Sequence, residues 1–238
     1  MVTIFSDFDG VLYDTLKESY ALCRKVLYNI EVNKYIEKNK FDKFTRYKFL
    51  VFNVWQYLYL MKVLSDKHIK TDDEFIRNYC YLLKTRDFAE EKEFDKNFTE
   101  AKRKLIEENN VLLLEKLETK FPFFDMIFNL KDKIEIVIVS KSNNFDIKSK
   151  LNKNGITDVK IIGKENLTSF RNKGEFIADY INKNNIDKAF FIDDNTYNLK
   201  SCLNIPNLEC ILAGWGNIAI GEKGKNAEEV IKLIEENI

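Results

Sequence analysis

The chain has 238 residues, which suits one α/β domain with an insertion or two small domains. Its 38 basic and 38 acidic side chains give a formal net charge of zero. This argues against a protein that binds nucleic acid through its overall charge, although binding through a local basic patch remains an alternative. Four dispersed cysteines without a Cys-x-x-Cys spacing, together with a single histidine, His68, argue against a zinc site.

The sequence favours a cytoplasmic protein. Its most apolar window, residues 49–61, is about 13 residues long, whereas a membrane-spanning helix needs about 20 apolar residues. No basic segment followed by an apolar one precedes the first predicted strand, so we expect no signal peptide. Cysteines scattered along the chain are most simply thiols in a reducing compartment.

The first predicted element is a buried strand over residues 2–6, a short apolar run that ends at Asp7. From about residue 15 to about residue 124, apolar residues recur at spacings of three and four, which predicts helices. Phe121-Pro122 is the candidate exit from this helical region. The predicted helices cover residues 16–30, 44–64, 73–83 and 100–119.

From about residue 132 onward, short apolar runs of strand length alternate with helical patterns. The predicted strands cover residues 134–139, 159–162, 189–192 and 208–212. The predicted helices cover residues 145–153, 173–184, 197–203 and 227–236. Such alternation indicates a parallel sheet with helices on both faces.

The strand over residues 2–6 must join this sheet, because a lone strand has no pairing partner. We therefore predict an α/β fold with a Rossmann-like parallel sheet. Residues 1–15 and 125–238 are expected to form this core. An inserted all-helical domain is expected to cover residues 16–124.

Polar side chains collect where the predicted strands end, at the edge of a parallel sheet where ligands bind. These are Asp7 and Asp9 after the first strand, Ser140 and Lys141 after the second, and Asp193 and Asp194 after the strand at 189–192. Lys173 begins the predicted helix over residues 173–184, which precedes the strand at 189–192. Four carboxylates facing one pocket repel one another, so a hard divalent cation with oxygen ligands is expected, and Mg²⁺ with a phosphate substrate fits best.

The same residue types indicate how a phosphate group could be handled. Ser140, the backbone N–H groups beside it and Lys173 are suited to bind phosphate oxygens. An aspartate has an ordinary pKa of about 3.9, so Asp7 is expected to be ionised and able to attack phosphorus without a separate base. Asp9 would have to carry a proton to the leaving oxygen, and the negative charge of Asp7 and of the substrate favours its protonated form.

Together these segments resemble the haloacid dehalogenase superfamily of phosphotransferases. The segment Asp7-Phe8-Asp9-Gly10-Val11-Leu12 matches the first family motif closely. Val139-Ser140 is similar to the second motif, Lys173 to the third and Asp193-Asp194 to the acidic fourth. The resemblance covers about 130 core residues, and the helical insertion just after the first motif looks like the C1 cap of the family.

The resemblance implies a role for each carboxylate. Asp7 would be the nucleophile that forms an aspartyl-phosphate, and Asp9 would be the general acid and then the base for the attacking water. Mg²⁺ would be held by Asp7, the backbone carbonyl of Asp9 and Asp193, with Asp194 bound directly or through water.

Ser140, Lys141 and Lys173 are the predicted substrate-binding residues. In one respect the chain departs from the family, because its third motif reads Lys173-Gly174 where many members have Lys-Pro. Lys164 and Lys141 therefore remain alternatives for the role of Lys173.

Two further features have two interpretations each. Asn195 contacts the metal or the phosphate, or else it caps a helix. Gly214-Trp215-Gly216 resembles a loop of some family members, or else it is a structural turn.

The leading hypothesis is a Mg²⁺-dependent phosphatase acting on a small phosphomonoester such as a nucleotide or a sugar phosphate, because the resemblance implies a cap that closes over a small substrate. The alternatives are a phosphomutase, a phosphatase acting on nucleic-acid ends, and a binding or regulatory protein on a retained catalytic core. A dehalogenase is disfavoured, because that chemistry needs a nucleophilic aspartate but no acid two residues later, and Asp9 is present.

Overall fold

The computed structural model describes residues 1–108 and 111–238, and the chain divides into two compact units. The first unit comprises Met1–Asp14 and Thr119–Ile238, and the second comprises Thr15–Glu118. Among the described residues, no helix combines the length and the apolar character that a membrane span requires.

The first unit contains the sheet. Its strands are β1 (Val2–Ser6), β2 (Tyr13–Asp14), β3 (Thr119–Lys120), β4 (Ile134–Val139), β5 (Lys160–Ile162), β6 (Ala189–Asp193) and β7 (Leu208–Leu212). Its helices are α7 (Pro122–Phe128), α8 (Asn144–Lys153), α9 (Lys164–Leu167), α10 (Lys173–Asn184), α11 (Thr196–Lys200) and α12 (Ala227–Glu235).

Five of these strands form one parallel sheet in the order β5-β4-β1-β6-β7. The first strand of the chain lies in the middle, so both of its edges are paired and all of its residues are buried. Ser6 is in register with Ile138 on one side and with Ile192 on the other, so β1, β4 and β6 end at nearly the same level. The predicted α/β fold class is confirmed.

The two faces of the sheet bury two separate apolar clusters, because successive side chains of a strand point to opposite faces. Ile4 belongs to the cluster that includes residues of α7, α8 and α12, and Phe5 to the cluster that includes residues of α10 and α11. Each large apolar side chain buried in this way stabilises the fold by roughly 1.5–3 kcal/mol. The mostly apolar composition of residues 2–6 follows from this burial on both faces.

Pro122, predicted to mark an exit from the helical region, is the first residue of α7. Proline suits this position because its fixed φ matches the helix and the missing N–H would have no intrahelical partner there. The short strands β2 and β3 pair with each other in antiparallel orientation just before it.

The second unit is helical. Its elements are α1 (Leu16–Tyr28), α2 (Lys38–Tyr47), a short 3₁₀ helix (Lys48–Leu50), α3 (Gln56–Ser65), α4 (Asp72–Lys84), α5 (Phe88–Glu107) and α6 (Val111–Leu117). Tyr57 packs between Phe44 and Phe98 with nearly parallel rings, at centroid distances of 5.7 Å in both cases. Tyr57 and Tyr59 are buried, and Trp55 just before α3 is partly buried.

The prediction of one helix over residues 44–64 is wrong, because the chain leaves the helix after Leu50 and resumes it at Gln56. The side chain of Gln56 accepts hydrogen bonds from the backbone N–H groups of Phe52 and Asn53, at 2.6 and 2.8 Å. These bonds satisfy backbone donors in the interruption, and apolar periodicity does not reveal them.

The prediction of a helix over residues 100–119 is also wrong in its bounds. The helix α5 begins at Phe88, because the Asp87 side chain caps it by accepting from the N–H groups of Ala89 and Glu90. A separate helix, α6, follows, and residues 109 and 110 lie outside the described residues.

Candidate active site

The candidate site lies at the edge of the sheet where β1, β4 and β6 end. The backbone N–H of Asp7 donates to the carbonyl of Ile192, and that of Ser140 donates to the carbonyl of Ile162, both at 2.9 Å. These bonds extend the strand pairing by one residue and fix the backbone from which both side chains project. The sheet therefore brings the polar ends of strands that are far apart in the sequence to one edge.

Three buried carboxylates form the centre of the site. Asp7, Asp193 and Asp194 each offer an oxygen, and these oxygens all lie within 4.8 Å of one another. Burial raises the pKa of Asp7 to about 7; the charge of Lys173 opposes this rise and that of Asp193 adds to it. Burial likewise raises the pKa of Asp193, again opposed by Lys173. Such a group of oxygen donors fits a hard divalent cation. A bound cation would offset the desolvation cost of the buried carboxylates and reduce the repulsion between them.

Lys173 is the basic member of the site. Its Nζ lies 2.9 Å from Oδ2 of Asp7 and 2.8 Å from Oδ2 of Asp193, and its side chain is almost completely buried. Burial opposes the charge of Lys173, but the two carboxylates outweigh it and raise the pKa of the lysine above its ordinary value. Lys173 is therefore protonated. It is the first residue of α10, and its ammonium lies beside Asp7.

The glycine after Lys173 has a packing reason. A Cβ at Gly174 would lie 2.1 Å from the backbone oxygen of Ser201, and the Gly174 N–H donates to the Ser201 hydroxyl at 3.2 Å. A proline would both carry a Cβ and lack that N–H. The departure from the Lys-Pro pattern thus matches the close approach of α10 to the chain that follows α11.

The other two lysines considered for this role belong to the same unit. Lys141 is half-buried on the loop after β4, and Lys164 is exposed at the first position of α9. The structure places the ammonium of Lys173 next to Asp7.

Asp9 has a different environment from the three clustered carboxylates. The Ser142 hydroxyl donates a hydrogen bond to its Oδ2 at 2.5 Å. The following residue, Gly10, has a φ of +86°, and a Cβ there would lie 1.9 Å from Oδ2 of Asp194. Both the positive φ and the lack of space require glycine at this position. Ser142 was not among the predicted site residues, although its position two residues after Ser140, beyond the end of β4, could have indicated it.

Asp193 and Asp194 are held by donors from two further segments. The Asn198 side chain donates to both oxygens of Asp193, at 3.2 and 3.0 Å, and the N–H of Asn195 donates to Oδ1 at 2.8 Å. The N–H of Asn217 donates to Oδ2 of Asp194 at 2.7 Å. Asn198 and Asn217 also escaped the sequence analysis, and a donor from the backbone leaves no residue-type signal at all.

The side chain of Asn195 accepts from the N–H of Tyr197 at 2.9 Å, so it caps α11, as one of its two interpretations proposed. The Gly214-Trp215-Gly216 segment is a turn that also contacts the site loop. The Trp215 indole donates to the carbonyl of Val11 at 3.0 Å, and a Cβ at Gly216 would lie 2.3 Å from the carbonyl oxygen of Gly10. The turn therefore braces the loop that carries Asp9.

No family model matches the sequence, and no curated protein is significantly similar to it in sequence. Solved structures do match. A predicted phosphoglycolate phosphatase from Haemophilus somnus 129PT has a TM-score of 0.60 at 12% identity, over 98% of this chain and 97% of that one. A predicted phosphatase from Clostridium acetobutylicum has a TM-score of 0.56 at 16% identity, over 98% of each chain.

A hydrolase of the haloacid dehalogenase-like family from Streptococcus pneumoniae is a third match, with a TM-score of 0.52 at 13% identity, over 98% of this chain and 97% of that one. At such identities the likeness establishes the fold. The chain therefore has the fold of the haloacid dehalogenase-like hydrolases, which confirms at the level of the fold the resemblance seen in its four motifs.

Proposed function

We propose that this protein is a Mg²⁺-dependent phosphatase that hydrolyses a small phosphomonoester through an aspartyl-phosphate on Asp7. The observation that carries the proposal is the contact of Asp7 with Lys173 at 2.9 Å, inside a group of three buried carboxylates. The edge of the sheet where β1, β4 and β6 end thus carries a nucleophile, a cation for the phosphate charge and a set of hard oxygen donors.

Asp7 is held in place through both of its carboxylate oxygens. The backbone N–H of Phe8 donates to Oδ1 at 2.7 Å, and Lys173 contacts Oδ2. In the first step an Asp7 oxygen forms a bond to phosphorus while the bond from phosphorus to the leaving oxygen breaks. A carboxylate whose orientation is fixed in advance loses little entropy on reaching the geometry of attack.

Asp9 supplies the proton that the leaving oxygen needs. In the second step a water attacks phosphorus, gives its proton to Asp9 and breaks the bond to Asp7, which releases inorganic phosphate and restores both carboxyl groups. General acid and base catalysis of this kind contributes about 10²- to 10⁴-fold to a rate.

The phosphate oxygens would be bound by Ser140 and Lys173, with Lys141 on the same loop. The Ser140 hydroxyl accepts from the N–H of Ser142 at 3.2 Å, so its own proton is available for a phosphate oxygen. Lys173, buried and charged, neutralises negative charge that a phosphate would bring.

The buried carboxylates fit Mg²⁺, with Asp7, the backbone carbonyl of Asp9, Asp193 and Asp194 as the proposed ligands, the last directly or through water. When bound, Mg²⁺ would neutralise charge on the carboxylates and on the phosphate. The Asn198 and Asn217 contacts described above fix the orientation of Asp193, which ends β6, and of Asp194, which follows it.

The small substrate is proposed from the resemblance and from the names of the similar structures, two of which are phosphatases by name. The four cysteines are all free, which fits the proposed cytoplasmic location. Neither a membrane nor a nucleic acid is a proposed partner.

The test is phosphate release from a panel of sugar phosphates, nucleotides and 5′- or 3′-phosphorylated oligonucleotides, with Mg²⁺ present and the Asp7→Asn variant as the blank. A substrate that loses its signal in the variant supports the phosphatase and identifies the substrate class. Isomerisation with little phosphate release would indicate a phosphomutase, and salt-sensitive activity on oligonucleotides an end-processing enzyme. Silence across the panel with folded, Mg²⁺-binding protein would favour a binding or regulatory role.

A further inference from the structure

The hydroxyl of Ser142 and the carboxylate of Asp9 join two loops that are 133 residues apart in the sequence. Oγ of Ser142 lies 2.5 Å from Oδ2 of Asp9. Asp9 follows β1 and Ser142 follows β4, and these strands are neighbours in the sheet. The parallel pairing of the two strands therefore brings the two loops together.

The backbone of Ser142 is anchored on both sides. Its N–H donates to the Ser140 hydroxyl at 3.2 Å, and its carbonyl accepts from the N–H of Lys164 at 2.8 Å. A Cβ at Gly163 would lie only 2.8 Å from the same carbonyl, so the next segment packs closely against it. The Ser142 side chain is thus presented to Asp9 from a fixed backbone.

A hydroxyl is the suitable partner for a group that changes protonation during a reaction. It donates to a carboxylate and accepts from a carboxylic acid, so one rotation of the O–H serves both states without movement of the backbone. An N–H donor in the same place would favour only the ionised carboxylate. The chemistry of Ser142 therefore matches a carboxyl that gives a proton in one step and takes one in the next.

We propose that Ser142 is a positioning residue that holds Asp9 for proton transfer to the leaving group and from the attacking water. The inference rests on the proposed function, since it assigns Asp9 as the acid and base. Because Ser142 also contacts Ser140, the same loop links the phosphate-binding hydroxyl to the acid.

The test compares phenyl phosphate, whose leaving group needs a proton, with p-nitrophenyl phosphate, whose leaving group does not. Ser142→Ala is expected to lower kcat on phenyl phosphate by about 10- to 100-fold and on p-nitrophenyl phosphate by less than about threefold, with little change in KM. Ser142→Thr keeps a hydroxyl and should stay within about threefold of wild type on both. Thr168→Ala removes an exposed hydroxyl that donates to the Glu165 carbonyl and serves as the matched control.

A double variant tests whether Ser142 acts through Asp9. Asp9→Asn combined with Ser142→Ala should be about as slow as Asp9→Asn alone, because the serine has no acid left to position. Equal losses of Ser142→Ala on both substrates, full activity of that variant, or additive losses in the double variant would each overturn the inference.

The same set of variants separates this inference from the proposed function. A wild-type protein that hydrolyses neither ester overturns both. An active wild type whose Asp9→Asn variant depends on the leaving group, while its Ser142→Ala variant does not, overturns only the role of Ser142.

Discussion

Lys173 and Asp193 form a buried ion pair, with 2.8 Å between Nζ and Oδ2 and almost no exposure of either side chain. The lysine begins α10 and the aspartate ends β6, so the pair ties the first turn of a helix to the end of a central strand. Since the same ammonium also reaches Asp7, the charge balance of the whole carboxylate group depends on this one lysine.

Replacement of Lys173 should therefore affect both stability and activity. Lys173→Ala leaves buried carboxylates without their cation, and breaking a buried pair costs about 3–5 kcal/mol. We expect lost phosphatase activity and a lower free energy of unfolding in urea, measured without Mg²⁺. Lys183→Ala on the same helix removes only an exposed pair with Asp179 and should change the free energy by less than about 0.5 kcal/mol. Similar effects of the two substitutions would contradict the importance assigned to the buried pair.

Asp7→Asn should abolish turnover while the fold stays intact. The amide is nearly isosteric with the carboxyl group but cannot attack phosphorus, so we expect a loss of at least about 10³-fold in phosphate release. Far-ultraviolet circular dichroism should match that of wild type. Asp125→Asn, which removes an exposed carboxylate paired with Lys120, is the control. Activity retained in Asp7→Asn would mean that the nucleophile is misassigned.

Asp9→Asn should slow the release of poor leaving groups more than that of p-nitrophenolate. The asparagine cannot donate a proton, and general acid catalysis accounts for about 10²- to 10⁴-fold where the leaving oxygen must be protonated. Steady-state kcat on phenyl phosphate and on p-nitrophenyl phosphate gives the comparison. Equal losses on both esters would count against an acid role for Asp9.

Removal of the metal should silence the enzyme, and its return should stabilise the fold. With Mg²⁺ at about 100 times its dissociation constant, binding stabilises the folded state by about 2.7 kcal/mol, which for a chain of this length raises Tm by about 5–10 °C. EDTA should abolish activity and reverse the shift. Asp193→Asn should reduce the Mg²⁺-dependent shift, whereas Asp179→Asn, on the surface of α10, should preserve it. Indifference to both EDTA and Mg²⁺ would rule out the proposed metal site.

Strand ends were the part of the site that the sequence could predict. A parallel sheet brings the carboxyl ends of its strands to one edge, so finding Asp7, Ser140 and Asp193 after apolar runs was enough to expect them together. Asp7 and Asp193 do lie in one buried group, and Lys173 contacts both. The roles of these residues in catalysis stay predictions that the variants above will test.

Contacts made by backbone groups or by single polar side chains could not be predicted from the sequence. The N–H of Asn217 on Asp194 has no residue-type signature, and the contact of Ser142 with Asp9 depends on which strands are neighbours. The interruption of the helix predicted over residues 44–64 depends likewise on a single side chain, that of Gln56.

The sequence by itself determined the α/β class and the order of the chemical motifs, because apolar periodicity and strand-end polarity are local properties of the chain. Only the tertiary structure shows which donors bind each carboxylate. It also gives the reason for the glycine after Lys173, since there is no space for a side chain at that position. Those features depend on distances of a few ångströms between segments that are far apart in the sequence, such as the approach of Gly174 to Ser201, and local periodicity carries no information about such distances.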